Sequence, residues 1–289
     1  MSIRWDGRVD PSYLKYAWYD GSSWQTETVD SGTGVGKYSS LALDSSGKPH
    51  IAYDGRYARY DGSSWQIETV GGEYTSLALD SSDKAHISYY DAANADLKYT
   101  RYDGSTWQTE TVDDGGSVGE YTSLALDPSG MAHISYYDAA NADLKYTRYD
   151  GSTWQTETVD SGGSVGEYTS LALDSSDRPN ISYYDRTNEE IKYAWYDGIS
   201  WHTETVDNAM VVLSVYCRFT SLALDSSGRP HISYCGDNSL KYARYDGVSW
   251  QIETVDSAGW VHDASLAIDS SDRPHISYQE TTTDALKYA

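Results

Sequence analysis

A single phenylalanine, two cysteines and six prolines are all that the 289-residue chain holds of these three types. Two cysteines exclude a disulfide framework. Cys217 and Cys235 fall in one repeat unit and either form one bridge, which would argue for an oxidising compartment, or stand as two buried thiols. No run approaches the roughly 20 apolar residues of a membrane span, and MSIRWDGRVD lacks the pattern of a secretion signal. The chain is therefore expected to be soluble, extracellular or at the cell surface if excised from a longer protein and otherwise cytoplasmic. Basic residues are scarce as well: 21 Lys and Arg stand against 44 Asp and Glu, a formal charge of −23. Such a surface repels phosphate backbones and anionic lipid, which argues against nucleic-acid and membrane partners.

What is abundant is tyrosine, with 28 copies, and tryptophan, with 10, in a chain whose hydrophobic fraction is only 39%. Rings with an apolar body and a polar tip must supply much of the core. The second abundance is repetition. Residues 121–167 restate residues 74–120 except at Ser81/Pro128, Asp83/Gly130, Lys84/Met131 and Asp114/Ser161, and the rest of the chain consists of looser copies. A period of this length signals stacked supersecondary units within one domain spanning residues 1–289.

Each unit holds four short β-branched and aromatic segments with no helical period: SLALD, HISYYD, LKYTRYDG and WQTETVD. Tight Asp and Gly turns join the first pair and the second pair, while DAANAD and DSGGSVGEY make the other two connections. Tight and long links alternate, so the long ones gather on one face, the natural place for a binding site. Four-stranded antiparallel units repeated in this way make an all-β propeller. Glu27, Glu68, Glu110, Glu157, Glu204 and Glu253 recur three residues after the fourth-strand Trp, where a charge would guard an outer edge against pairing. Six first strands, marked by Leu41, Leu77, Leu124, Leu171, Leu222 and Leu266, predict six blades. The last is expected to be closed by strands from both termini, 265–279 joined by 14–29. Seven blades, with the first lacking its inner strand and the last its outer one, is the alternative. Residues 2–6 read as a worn second strand.

The turn YDGSSW or YDGSTW, with Asp20, Asp61, Asp103, Asp150, Asp197 and Asp246, resembles the Asp-box of sialidase-type propellers, although its Asp and Gly are adjacent. The resemblance covers nearly the whole chain at the level of the repeat. It implies a structural turn in which the Asp bonds backbone groups. Sialidase activity is not implied, because that chemistry needs three arginines, a tyrosine nucleophile and an acid/base aspartate at non-equivalent positions. Here Arg59, Arg101, Arg148 and Arg244 share one repeat position with Trp18 and Trp195, which reads as a stacking and packing site. His50, His86, His133, His231 and His275, with Asn180 in the remaining unit, each begin a second strand beside a turn. Bonding of turn backbone explains them better than a metal site, since none has a zinc spacing.

The candidate ligand site lies in the long loops. Tyr90, Asp91, Asn94 and Asp96 recur as Tyr137, Asp138, Asn141 and Asp143, then as Tyr184, Asp185, Asn188 and Glu190. A ring beside Asp and Asn can cover the C–H face of a sugar and bond its hydroxyls, and repeated weak sites would act by avidity. The same residues can instead simply build turns. No cofactor is expected; the oxygen-rich loop could hold Ca²⁺ but lacks the spacing of a calcium loop. The expected function is a non-catalytic, monomeric propeller that binds glycan or protein. The alternatives are a protein-interaction scaffold and a glycoside hydrolase using the irregular loops, where Asp207, Asp256, His262 and Asp263 form the available polar group.

Overall fold

A computed structural model describes residues 13–208, 219–257, 261–280, 283 and 285–289. Among these residues the secondary structure is entirely strand, and none forms a helix long and apolar enough to cross a membrane. The chain forms two compact units, Met1–Gly115 and Gly116–Ala289. The first unit has a two-stranded sheet of β1 (Leu14–Tyr19) and β2 (Trp24–Asp30), followed by two four-stranded sheets. These are β3 (Ser40–Leu43), β4 (Pro49–Tyr53), β5 (Arg56–Tyr60) and β6 (Trp65–Thr69), then β7 (Glu73–Leu79), β8 (Ala85–Asp91), β9 (Asp96–Tyr102) and β10 (Trp107–Asp113).

The second unit has three four-stranded sheets and a three-stranded one. They are β11 (Val118–Leu126), β12 (Ala132–Asp138), β13 (Asp143–Tyr149) and β14 (Trp154–Asp160); β15 (Val165–Leu173), β16 (Pro179–Asp185), β17 (Glu190–Tyr196) and β18 (Trp201–Asp207); β19 (Thr220–Leu224), β20 (Pro230–Gly236), β21 (Ser239–Tyr245) and β22 (Trp250–Asp256); and β23 (Val261–Ile268), β24 (Pro274–Glu280) and β25 (Ala285–Tyr288). Every sheet is an antiparallel meander in sequence order. The fold is thus an all-β propeller of six blades, opened by β3, β7, β11, β15, β19 and β23.

The closing blade departs from the sequence expectation. Its third place is filled by β25, whose ALKY repeats the LKYA of β1, while β1 and β2 make a sheet of their own. A strand that follows its partner directly along the chain pairs with little loop-closure entropy, which favours the local hairpin. The expectation for residues 2–6 lies outside the described residues. Cys235 is disulfide-bonded and fully buried; the other cysteine, Cys217, also lies outside them.

Within each unit, blades are joined by side chains that the repeat motif supplies. Ser170 Oγ accepts the Leu222 backbone N–H of the next blade at 3.0 Å, as Ser123 does for Leu171 and Ser40 for Leu77 at the same distance. Thr169 donates to the Tyr121 carbonyl at 3.0 Å and Thr220 to that of Tyr168 at 2.9 Å. Four of the glutamates expected to guard edges also bond across to the next blade. Glu27, Glu68, Glu157 and Glu204 accept the indole N–H of Trp65, Trp107, Trp201 and Trp250 in the following blade, at 2.7 to 2.8 Å. An indole packed against a neighbouring sheet satisfies its N–H with such an acceptor. Between the blades lie apolar layers such as Leu144, Tyr146, Val165, Leu171, Ile181 and Tyr183, each side chain worth roughly 1.5–3 kcal/mol on burial.

The first strands carry a bulge at Glu120/Ser123 and Glu167/Ser170. There Tyr121 and Tyr168 adopt a φ of 55°, uncommon for a bulky residue. Their rings lie 4.2 Å apart, so contact offsets the strained backbone. Gly166, at φ 106°, lets this strand approach the preceding blade, because a Cβ there would stand 2.7 Å from the Leu144 Cα.

Candidate functional site

In each long-loop set the aspartate and the asparagine bond one another, while Tyr137 bonds Ser164. Asp138 is wholly buried. It accepts the Asn141 backbone N–H at 3.0 Å and the Asn141 amide at 2.9 Å, and pairs with Lys145 at 2.8 Å. Burial pushes its carboxyl up, and the Asn141 and Lys145 contacts outweigh that push and hold it below the ordinary value. Asp185 is engaged in the same way with Asn188, and Asp91 accepts the Asn94 amide at 2.7 Å. Asp96 pairs with Lys98 at 3.0 Å, and Asp143 is raised by burial and by the neighbouring Asp138 charge. Tyr184 and Tyr137 are buried, whereas Tyr90 is partly open and Asn94, Asn141 and Asn188 stand exposed at the loop tips.

The residues considered for hydrolysis are divided among three strands, Asp207 on β18, Asp256 on β22 and His262 with Asp263 on β23. Asp207 accepts the Tyr234 hydroxyl at 2.7 Å and the Lys241 ammonium at 3.2 Å. Asp256 does the same one blade later with Tyr278 at 2.7 Å and Lys287 at 3.0 Å. Both occupy the last place of an outer strand and clamp the following blade, as Asp160 does with Tyr183 and Lys192. His262 and Asp263 lie on β23, where His262 faces Gln279. Among the described residues no group of three or more His, Cys, Asp or Glu could hold a metal ion.

The tight turns are tied by their aspartates. Asp150 Oδ1 accepts the Ser152 and Thr153 backbone N–H groups at 2.9 Å, and Oδ2 accepts the Gln155 amide at 3.0 Å. These bonds, that of Thr153 foremost, hold its carboxyl down at about 2. The histidines, expected to bond turn backbone, bond a tyrosine hydroxyl instead, and the turn is held by an aspartate. Asp127 binds the turn, accepting N–H groups of Ser129 at 2.8 Å and Met131 at 2.9 Å. His133 then bridges, sharing a 2.5 Å hydrogen bond with the Tyr146 hydroxyl through Nδ1 while Nε2 faces Asp127 at 3.9 Å. Where Asn180 replaces histidine, its amide does donate to the Arg178 carbonyl at 3.0 Å.

Open space lies at this tight-turn end, between successive blades of the second unit. One cleft of about 430 Å³ is walled by Tyr146, Arg148, Asp150 and Glu157 of one blade, and by Arg178 and Trp201 of the next. A second, of about 500 Å³, is walled by Tyr193, Trp195, Asp197 and Glu204, with Arg229 and Tyr245 from the next blade. Most lining positions correspond with a displacement of one blade, although Trp250, the counterpart of Trp201, does not line the second cleft. In the first, the Tyr146 and Trp201 rings meet edge-on at 5.2 Å and fix one wall. Arg148 is exposed and takes part in no hydrogen bond or ion pair among the described residues. An aromatic wall, carboxylates and an uncommitted guanidinium in a cleft of this size can hold a small polyol ring.

The sequence reading placed Arg148 and Trp195 in a packing position. Trp195 is indeed stacked between Tyr193, at 5.4 Å, and His202, at 5.1 Å, but both residues also face open space. The available signal was the recurrence of Arg or Trp, two residues after the third-strand Tyr and shortly before the Trp and Glu of the fourth strand.

No protein-family model matches the chain, and no curated protein does. Solved structures do. The SapL1 lectin, solved in complex with α-methyl fucoside, aligns over 86% of this chain and 91% of its own at 17% identity, with a TM-score of 0.57. An ulvan lyase aligns over 86% and 77% at 14% identity, with a TM-score of 0.58. A Hadza microbial sialidase aligns over 88% and 65% at 12% identity, with a TM-score of 0.52. At such identities the likeness is one of fold.

Proposed function

We propose that the protein is a non-catalytic, lectin-like propeller that binds neutral glycans in repeated clefts between its blades. The supporting observation is that two clefts in the second unit are lined at equivalent positions by aromatic rings, a basic or indole donor and carboxylates. Repetition suits binding by several weak sites better than a reaction needing one asymmetric set of groups. Neutral ligands are favoured because Asp127, Asp150, Glu157 and Asp177 surround the first cleft against Arg148 and Arg178, on a chain of charge −23. That three of the similar solved propellers are named as a lectin, a polysaccharide lyase and a sialidase agrees with glycan as the ligand class. The long-loop sets around Tyr90, Tyr137 and Tyr184 remain the alternative docking place, through their exposed asparagines.

A glycan array, followed by calorimetry on the best neutral sugar, tests this reading. The parent should bind, and Arg148→Ala with Trp195→Ala should weaken binding tenfold or more, since a charge-assisted hydrogen bond contributes about 1.5–3 kcal/mol. Replacing Tyr90, Tyr137 and Tyr184 together by Ala should leave affinity within about twofold. Silence of the parent on the array rejects the lectin reading. Loss only in the tyrosine variant moves the site to the long loops, and turnover of a fluorogenic glycoside by the parent rejects the non-catalytic assignment.

A further inference from the structure

The second cleft has a feature that the repeat does not require. In four of the tight turns a serine follows the Asp-Gly pair, and Ser22, Ser63, Ser105 and Ser152 donate their hydroxyls to the turn aspartate at 2.8 to 2.9 Å. In the turns after β17 and β21 the same place holds Ile199 and Val248, which are 88% and 86% exposed. The turns themselves are unchanged, since the Ile199 N–H still reaches Asp197 at 2.7 Å and the Val248 N–H reaches Asp246 at 2.8 Å. Each exchange therefore gives up a hydrogen bond and sets a branched apolar side chain in water.

A lone exposed apolar residue needs no explanation. These two are at matching positions of neighbouring turns, and those turns supply Asp197 and Gly247 to the same cleft. The cleft also carries Trp195 where its companion carries Arg148, so one departure from the repeat lies in its lining and two lie in turns that border it. The turn that gives Asp150 to the first cleft keeps its serine, Ser152.

We propose that the second cleft takes glycosides bearing an apolar aglycone, with the sugar ring in the cleft and the aglycone on a lip formed by Ile199 and Val248. This rests on the glycan-binding reading and adds the ligand class to one of its sites. The sugar's hydroxyls face Asp197 and Glu204, while the aglycone leaves the water it shares with the two exposed side chains. Removing on the order of 50 Å² of apolar surface from water strengthens binding roughly tenfold.

The test compares matched methyl and phenyl pyranosides in the galacto, gluco and manno series by calorimetry. The full chain is used, and then Ile199→Ser/Val248→Ser, which restores the residue the repeat uses elsewhere and so leaves the fold unstressed. The parent should bind the best phenyl glycoside roughly tenfold more tightly than its methyl partner. The double variant should bring that ratio to within about twofold of one, with methyl glycoside affinity unchanged. A ratio near one in the parent, or a ratio that survives in the variant, overturns the apolar lip while leaving glycan binding in place. A parent that binds neither member of any pair removes both.

Discussion

Individual residues in this protein are best understood by comparing one blade with another. His133 joins Asp127 to Tyr146, whereas in the next blade Asn180 bonds Tyr193 and Arg178 pairs with Asp174 at 2.7 Å. The two arrangements hold the same turn and strand with different titration behaviour. Burial lowers the His133 imidazole below its ordinary value, against the pull of Asp127. His50, His86 and His231 are shifted in the same direction, also chiefly by burial. Each gives up its proton more readily when folded than when unfolded, where an imidazole titrates near pH 6.5. Their contribution to stability is therefore complete above that pH and is lost as the pH falls towards the lower folded value. Met131→Arg/His133→Asn copies the neighbouring solution and should make the loss shallower. Urea midpoints at pH 7.5 and 5.5, followed by tryptophan fluorescence, should differ less in the variant than in the parent. An equal or larger difference would mean that His133 has no share in the acid sensitivity.

At the scale of elements, strands and turns could be read from the sequence because their determinants are local. The tight hairpins depend on residues at most five apart, as in the bond from Gln155 to Asp150. Contacts between blades were not legible, because they join residues about one repeat apart and the motif does not state which copy answers which. Glu157 and Trp201, separated by 44 positions, were visible as two recurring residues without any sign that they bond. The clefts were hidden for the same reason, being assembled from separate turns of two successive blades and the strands between them. Hydrogen bonding of Ser170 to the Leu222 N–H is such a contact, and its removal leaves a partly buried donor unpaired. Ser170→Ala should cost about 1–3 kcal/mol. Ser152→Ala, in an exposed turn with other bonds to Asp150, should cost about 1 kcal/mol or less. Chemical denaturation of both variants checks the order, and equal losses would show that the serine link between first strands carries no special share.

For the molecule as a whole, the unevenness of its sheets predicts where it opens first. In the second unit β12, β16 and β20 are buried at every position. Strand β25 closes a three-stranded sheet and alternates between partly buried and exposed residues. Leu286 is 36% exposed, while Leu144 and Leu240, its counterparts in complete blades, are fully buried. Backbone bonds between Ile276 and Ala289, at 2.8 and 2.9 Å, are formed all the same. Exchange of a bonded amide depends on the free energy of local opening, which falls when few apolar contacts accompany the bonds. Amides of β25 should therefore exchange with deuterium well before those of β13 and β21, with β12, β16 and β20 last. Protection of β25 equal to that of β21 would mean that a further strand covers its outer edge, since burial of Leu286 is what the described sheet lacks.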